Sequence, residues 1–133
     1  MRKLLLGLLC SLPLLAQAYT GPELQEDCLA AEVLLTGQNS TDIFHSVKSS
    51  RCLNYLDGFL DGYGIADRLT EKVGVRINAF CPPREPEARV RLVRLVRAVL
   101  AYLDRQPPFP ANSTVPAANV VAGAFSKAFV CQE

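Results

Sequence analysis

The chain is short of the groups from which active sites are built. It has one histidine, His45, no closely spaced cysteine pair and no G-x-S-x-G elbow. A Ser-His-Asp or Cys-His site would have to recruit that single imidazole, which the sequence places in a loop beside Phe44. Gly58, Gly62 and Gly64 lie inside a helical pattern, so no strand-to-helix loop is present to cradle a phosphate. Cysteines separated by 24, 29 and 50 residues do not meet the ligand spacing of a zinc site. A basic excess is missing too, and with it the electrostatic basis of nucleic-acid binding. The expectation is a protein that binds rather than catalyses, with no metal, cofactor or nucleic acid.

The amino-terminal residues read as an export signal. Arg2 and Lys3, the leucine-rich run Leu4 to Leu15, and Ala16-Gln17-Ala18 form a basic region, an apolar region and an A-x-A cleavage site. Cleavage after Ala18 leaves a mature chain of residues 19–133, enough for one domain. The apolar run is about twelve residues, short of the twenty or so that cross a membrane, and no later run is longer. Cys10 follows Leu9, where a lipidation signal wants a small residue, so lipidation is not expected.

Without Arg2 and Lys3, 12 basic residues face 13 acidic ones. They are unevenly distributed: residues 19–67 carry a net −6 and residues 68–133 a net +5. Two faces that attract each other within the fold would account for this, and a charged partner would also suit it.

Apolar spacing predicts an all-α domain, a small bundle of four main helices. Leu24, Cys28, Ala31 and Leu35 make the first stripe, with Glu23, Glu26 and Asp27 in the first turn and Gly37 as the stop. Ile43, Phe44 and Val47 are expected anchors in the polar stretch 38–50. Ser49 or Ser50 caps a second helix running from about Arg51 to Leu69. Its Gly58 and Gly62 share a face and imply close approach of another element or a bend. Residues 73–77 read as an extended loop. A third helix runs from near Pro86 to Leu103, ending before Pro107 and Pro108, with Arg84, Arg91, Arg94 and Arg97 on a solvated face. Thr114 caps a fourth, with Pro116 in its first turn and Val121, Ala124 and Phe125 on its stripe.

Cys10 departs with the leader, leaving Cys28, Cys52, Cys81 and Cys131, an even count that argues for two disulfides in an oxidising compartment. Three connectivities are open. If the last two helices form a hairpin, Cys131 returns beside Cys81 and Cys28 is left for Cys52. Asp57 and Asp61, four apart, share a helix face but lack a third ligand for a metal. Asn39-Ser40-Thr41 and Asn112-Ser113-Thr114 fit the glycosylation sequon, which matters only in a eukaryotic secretory pathway.

Several short motifs, taken in order, add something that periodicity does not. They are Cys52-Leu53-Asn54-Tyr55-Leu56-Asp57-Gly58 with Asp61, Phe80-Cys81-Pro82-Pro83, the Val90 to Leu103 helix, Gln106-Pro107, and Ala128-Phe129-Val130-Cys131. Together they resemble the Rap/Tai family of immunity proteins over about residues 24 to 131. The resemblance implies an all-helical fold, a periplasmic location, a homodimer, and inhibition of a papain-like Cys-His amidase, a type VI secretion effector that cuts peptidoglycan. Gln106 stands where the family usually has histidine, and Pro107-Pro108-Phe109-Pro110 is richer in proline than its usual loop. Candidate contact surfaces are the 106–112 loop with Phe109 as an apolar tip, the 73–79 loop with Arg76, and the Asp57 and Asp61 face. An acid-stress chaperone is the alternative, since the acidic and basic halves would separate on acidification. A helical lipid carrier is a third reading, with no special support in the apolar content.

Overall fold

The computed structural model describes residues 18–37 and 43–132. Residues 1–17 of the expected leader, the Asn39 sequon and the side chains of Ile43 and Phe44 lie outside it. Four helices follow one another: α1 (Gly21–Leu35), α2 (Ile43–Glu71), α3 (Ala88–Leu103) and α4 (Ala117–Ala128). Among the described residues there is no strand, only an isolated antiparallel bridge between Thr20 and Pro116.

α1 starts sharply because Thr20 and Glu23 form a capping box. The Glu23 N–H donates to the Thr20 hydroxyl oxygen, and the Thr20 N–H donates to the Glu23 carboxylate at 2.9 Å. Such a cap contributes about 1 kcal/mol. These hydrogen bonds favour the charged form and hold the Glu23 carboxyl below the usual range. Gly37, at φ +84°, closes the helix where a side chain would be strained. The first N–H groups of α1 and α4 are satisfied reciprocally: Gly21 donates to the Val115 carbonyl at 2.7 Å and Ala117 to the Tyr19 carbonyl at 2.9 Å. Pro116 is the N-cap residue of α4 and makes no side-chain cap, so the amino-terminal segment takes the part expected of Thr114.

α2 begins eight residues before the expected start. Ser49 and Ser50 do not cap it; inside the helix their hydroxyls donate back to the His45 and Ser46 carbonyls at 2.7 and 2.9 Å. Val47, expected as an anchor, is exposed. Among the described residues nothing approaches within 4 Å of a Cβ placed on Gly58 or Gly62, so none of the other helices packs against them. α3 begins at Ala88 with Glu87 as N-cap residue, two residues beyond Pro86.

The core runs through all four helices: Leu24 and Cys28 of α1, Leu56 of α2, Leu95, Val96 and Val99 of α3, and Val121 and Phe125 of α4. α1 packs chiefly on α2 and then on α3, while α4 packs chiefly on α3. Both disulfides have the expected pairing. Cys28–Cys52 joins α1 to α2 inside the core, and Cys81–Cys131 joins the approach to α3 with the exit from α4. The Cys81 N–H also donates to the Phe129 carbonyl at 2.8 Å. The charged halves do meet, through Arg91–Asp57 at 3.1 Å and Arg97–Glu32 at 3.9 Å. Arg94 pairs with Glu85, and Arg94 and Arg97 are exposed as expected, whereas Arg91 is half-buried and its Nε has no hydrogen-bond partner among the described residues.

Candidate partner-binding surfaces

The carboxyl-terminal end of α2 and the chain that follows it form a braced projection. The Tyr63 phenol oxygen accepts from the Ala79 N–H at 3.1 Å and donates to the Phe80 carbonyl at 3.0 Å. Its ring stacks on Phe80 with centroids 4.0 Å apart, and Phe80 in turn meets Phe125 edge-on at 5.5 Å. One turn further along, Asp67 Oδ1 accepts from the Ile77 N–H at 3.1 Å. Gly74, at φ +78°, makes the reversal between these two anchors. What the brace presents outward is mixed: Ile65, Leu69, Val73 and Val75 are each more than half exposed, Val73 reaching 77%, beside the exposed Arg68, Glu71 and Lys72. Arg76 lies among them and pairs with Glu71 at 3.2 Å. A run of large apolar side chains on restrained backbone is the kind of surface that marks a binding site.

Of the other sequence candidates, Asp61 adjoins it on the same exposed side of α2, one turn before Ile65, while Asp57 and Phe109 lie apart from it. Asp57 is paired with Arg91, while Asp61 is exposed one turn away. Phe109 is half-buried rather than an exposed tip, packed against the core at the start of α1. Its ring leaves a Cβ on Gly21 only 2.8 Å, so glycine is what lets the proline-rich loop close over the helix. That loop, with Tyr102, Val115 and Val120, encloses an apolar cleft of about 350 Å³.

A charged cluster that the sequence reading passed over sits at the opposite end of α2. Asp27 belongs to the second turn of α1, not the first, and is only 2% exposed. Tyr19 donates its phenolic proton to Asp27 Oδ2 at 2.6 Å, and Arg51 Nε lies 3.0 Å from the same oxygen. The Arg51 guanidinium also stands 5.4 Å from the centre of the Tyr19 ring, which meets Tyr55 edge-on at 4.8 Å. Burial, followed by the hydrogen bond to Asp27, pushes the Tyr19 phenol far above its ordinary value, and burial raises Tyr55. The signal was a carboxylate beside Cys28 on the apolar stripe of α1, a position that requires a partner when buried.

His45 lies within α2 rather than in a loop, and its Nε2 is buried without a hydrogen-bond partner among the described residues. Cys28, Cys52, Cys81 and Cys131 are all bridged. No group of three or more histidine, cysteine, aspartate or glutamate side chains among the described residues is placed to hold a metal ion. No helix among them is long and apolar enough to cross a membrane.

Compared with known proteins, residues 20–131 match the family model described as Rap1a immunity proteins. No curated protein and no solved structure matches the chain.

Proposed function

The chain belongs to the Rap1a immunity protein family, and from that premise we propose that it is an exported, non-enzymatic inhibitor of a peptidoglycan amidase delivered by type VI secretion. The family match spans nearly all of residues 19–133 and carries this reading. In it, the leader is removed after Ala18, the mature protein works in the periplasm as a homodimer, and it blocks the groove of a Cys-His amidase by occupying it.

The braced end of α2 supports this physically. Inserting a segment into an active-site groove costs little ordering entropy when its backbone is already fixed, and Tyr63, Asp67 and the Cys81–Cys131 bridge fix this one. Val73 and Val75 supply apolar contact and Arg76 a positioned charge. Phe109 serves the same reading less well, because its ring is already engaged within the chain.

The direct test is to purify the protein with the product of the gene beside its own and with type VI amidases of the Cys-His class, and to follow both complex formation and peptidoglycan hydrolysis. A stable complex and loss of hydrolysis are expected. Free amidase at full activity beside excess protein overturns the reading. Protection of aggregating proteins at low pH without amidase binding would favour the chaperone alternative.

A further inference from the structure

We infer that the cleft between the amino-terminal segment and α2 is a second recognition site, which takes an acidic side chain flanked by apolar residues from the protein that this chain inhibits. The inference rests on the inhibitor reading above and extends it to a surface about 27 Å along α2 from Leu69, at 1.5 Å per residue.

The cleft measures about 530 Å³ and is open on one side, with Tyr19, Val47, Ser50, Arg51, Asn54 and Tyr55 among its lining residues. Arg51 is the one cation among its described lining residues. The buried Asp27 takes the Nε side of the guanidinium, and the Tyr19 ring lies against it. Its terminal nitrogens have no partner among the described residues, and half the side chain is exposed. An arginine held this way offers a fixed fork of donors, which matches a carboxylate in geometry and loses little freedom on binding. Because Asp27 already offsets part of the charge, one carboxylate suits the site better than a phosphate with its higher charge. The tyrosine pair and Val47, itself 52% exposed, give the residues beside that carboxylate an apolar wall. Tyrosine and arginine in such a cleft are the residue types that dominate protein interfaces.

The cleft is continuous with the braced projection. Val47, Arg51, Asn54, Gly58, Asp61, Ile65 and Leu69 recur at three or four residues and are all exposed, so they line one open face of α2. Glycine at its midpoint leaves the backbone low there. A protein bound at the projection would therefore lie along this face and reach Arg51.

Asn54→Glu tests the site by placing a carboxylate of the chain's own beside Arg51, at an exposed position that leaves the Asp27 pair intact. The amidase that the wild-type protein inhibits should bind this variant at least about tenfold more weakly, with the melting temperature unchanged, while Asn54→Gln binds as the wild type does. Binding of Asn54→Glu within about twofold of wild type overturns the inference. If wild-type protein does not bind the amidase, the inhibitor reading fails, and a second measurement decides the cleft by itself. Labelled protein is titrated with acetyl-Leu-Glu-Leu-amide and with its glutamine counterpart. Shifts at Tyr19, Arg51 and Tyr55 with the glutamate peptide alone support the site; equal shifts, or none, overturn it.

Discussion

Asp27 is nearly inaccessible to solvent, yet Arg51, the cation 3.0 Å from it, is half exposed. The two substitutions that break this pair should therefore differ in cost. Arg51→Met strands a buried carboxylate with one phenol as partner and should cost about 3 kcal/mol. Asp27→Asn releases an arginine that turns to water, and should cost about 1 kcal/mol. Urea midpoints of the two variants at neutral pH check the order, and equal losses would show that Asp27 is solvated after all.

Tyr19 predicts a loss of stability in alkali. Its pKa is raised in the folded chain by burial and then by Asp27, so the folded state keeps a proton that the unfolded state releases above about pH 10. The stabilisation is complete below that pH and declines as pH rises beyond it. Tyr55, raised by burial, adds a change of the same sign. Tyr19→Phe should be less stable than wild type at pH 8 and lose less between pH 8 and pH 11, as measured by denaturant midpoints.

The glycines divide into two classes by what surrounds them. Gly58 and Gly62 face open space inside a helix, so alanine at either should stabilise by about 0.5–1 kcal/mol. Gly21 meets the Phe109 ring and Gly123 meets the Tyr102 hydroxyl, at 2.8 and 2.7 Å from an added Cβ. Gly21→Ala should cost about 1–3 kcal/mol through overpacking, and Phe109→Leu should recover part of the loss. Thermal melts of the four single variants and the double variant test this.

The two disulfides should differ in accessibility and in worth. Cys28 and Cys52 are fully buried, whereas Cys81 is exposed and Cys131 half-buried. A mild thiol reductant should open Cys81–Cys131 first, as mass spectrometry of alkylated peptides would show. The loop that bridge closes spans 50 residues against 24, so its removal should cost about 4 kcal/mol and removal of the other about 3.5. Release of Cys28–Cys52 before Cys81–Cys131 would contradict the burial.

Much of this fold was legible because its stripes are clean. α3 and α4 bury one face each, and the prolines and glycines between helices mark their ends to within a few residues. The pairing of the cysteines followed from the hairpins. What misled was chemistry with two uses. Serines 49 and 50 have the composition of a cap but serve inside α2 by bonding back to carbonyls four residues earlier. Asp27 has the sign that a helix start favours but lies one turn too far along, where tertiary partners hold it. Phe109 sits in a proline-rich loop as a tip would, and only the missing Cβ of Gly21 explains why it folds inward. The contact surfaces were harder still, since Ile65, Leu69 and Val73 are indistinguishable in sequence from core residues until their partners prove absent.

The reciprocal capping of α1 and α4 also orders events in time. A chain that appears from its amino terminus can close α1 on α2, and join Cys28 to Cys52, well before α4 exists. The Tyr19 carbonyl, however, has no donor until Ala117 arrives, and the Gly21 N–H has no acceptor until Val115 does. The first described segment is thus secured in two stages, its side chains by Glu23, Asp27 and Arg51 within the first hairpin and its backbone only when α4 arrives.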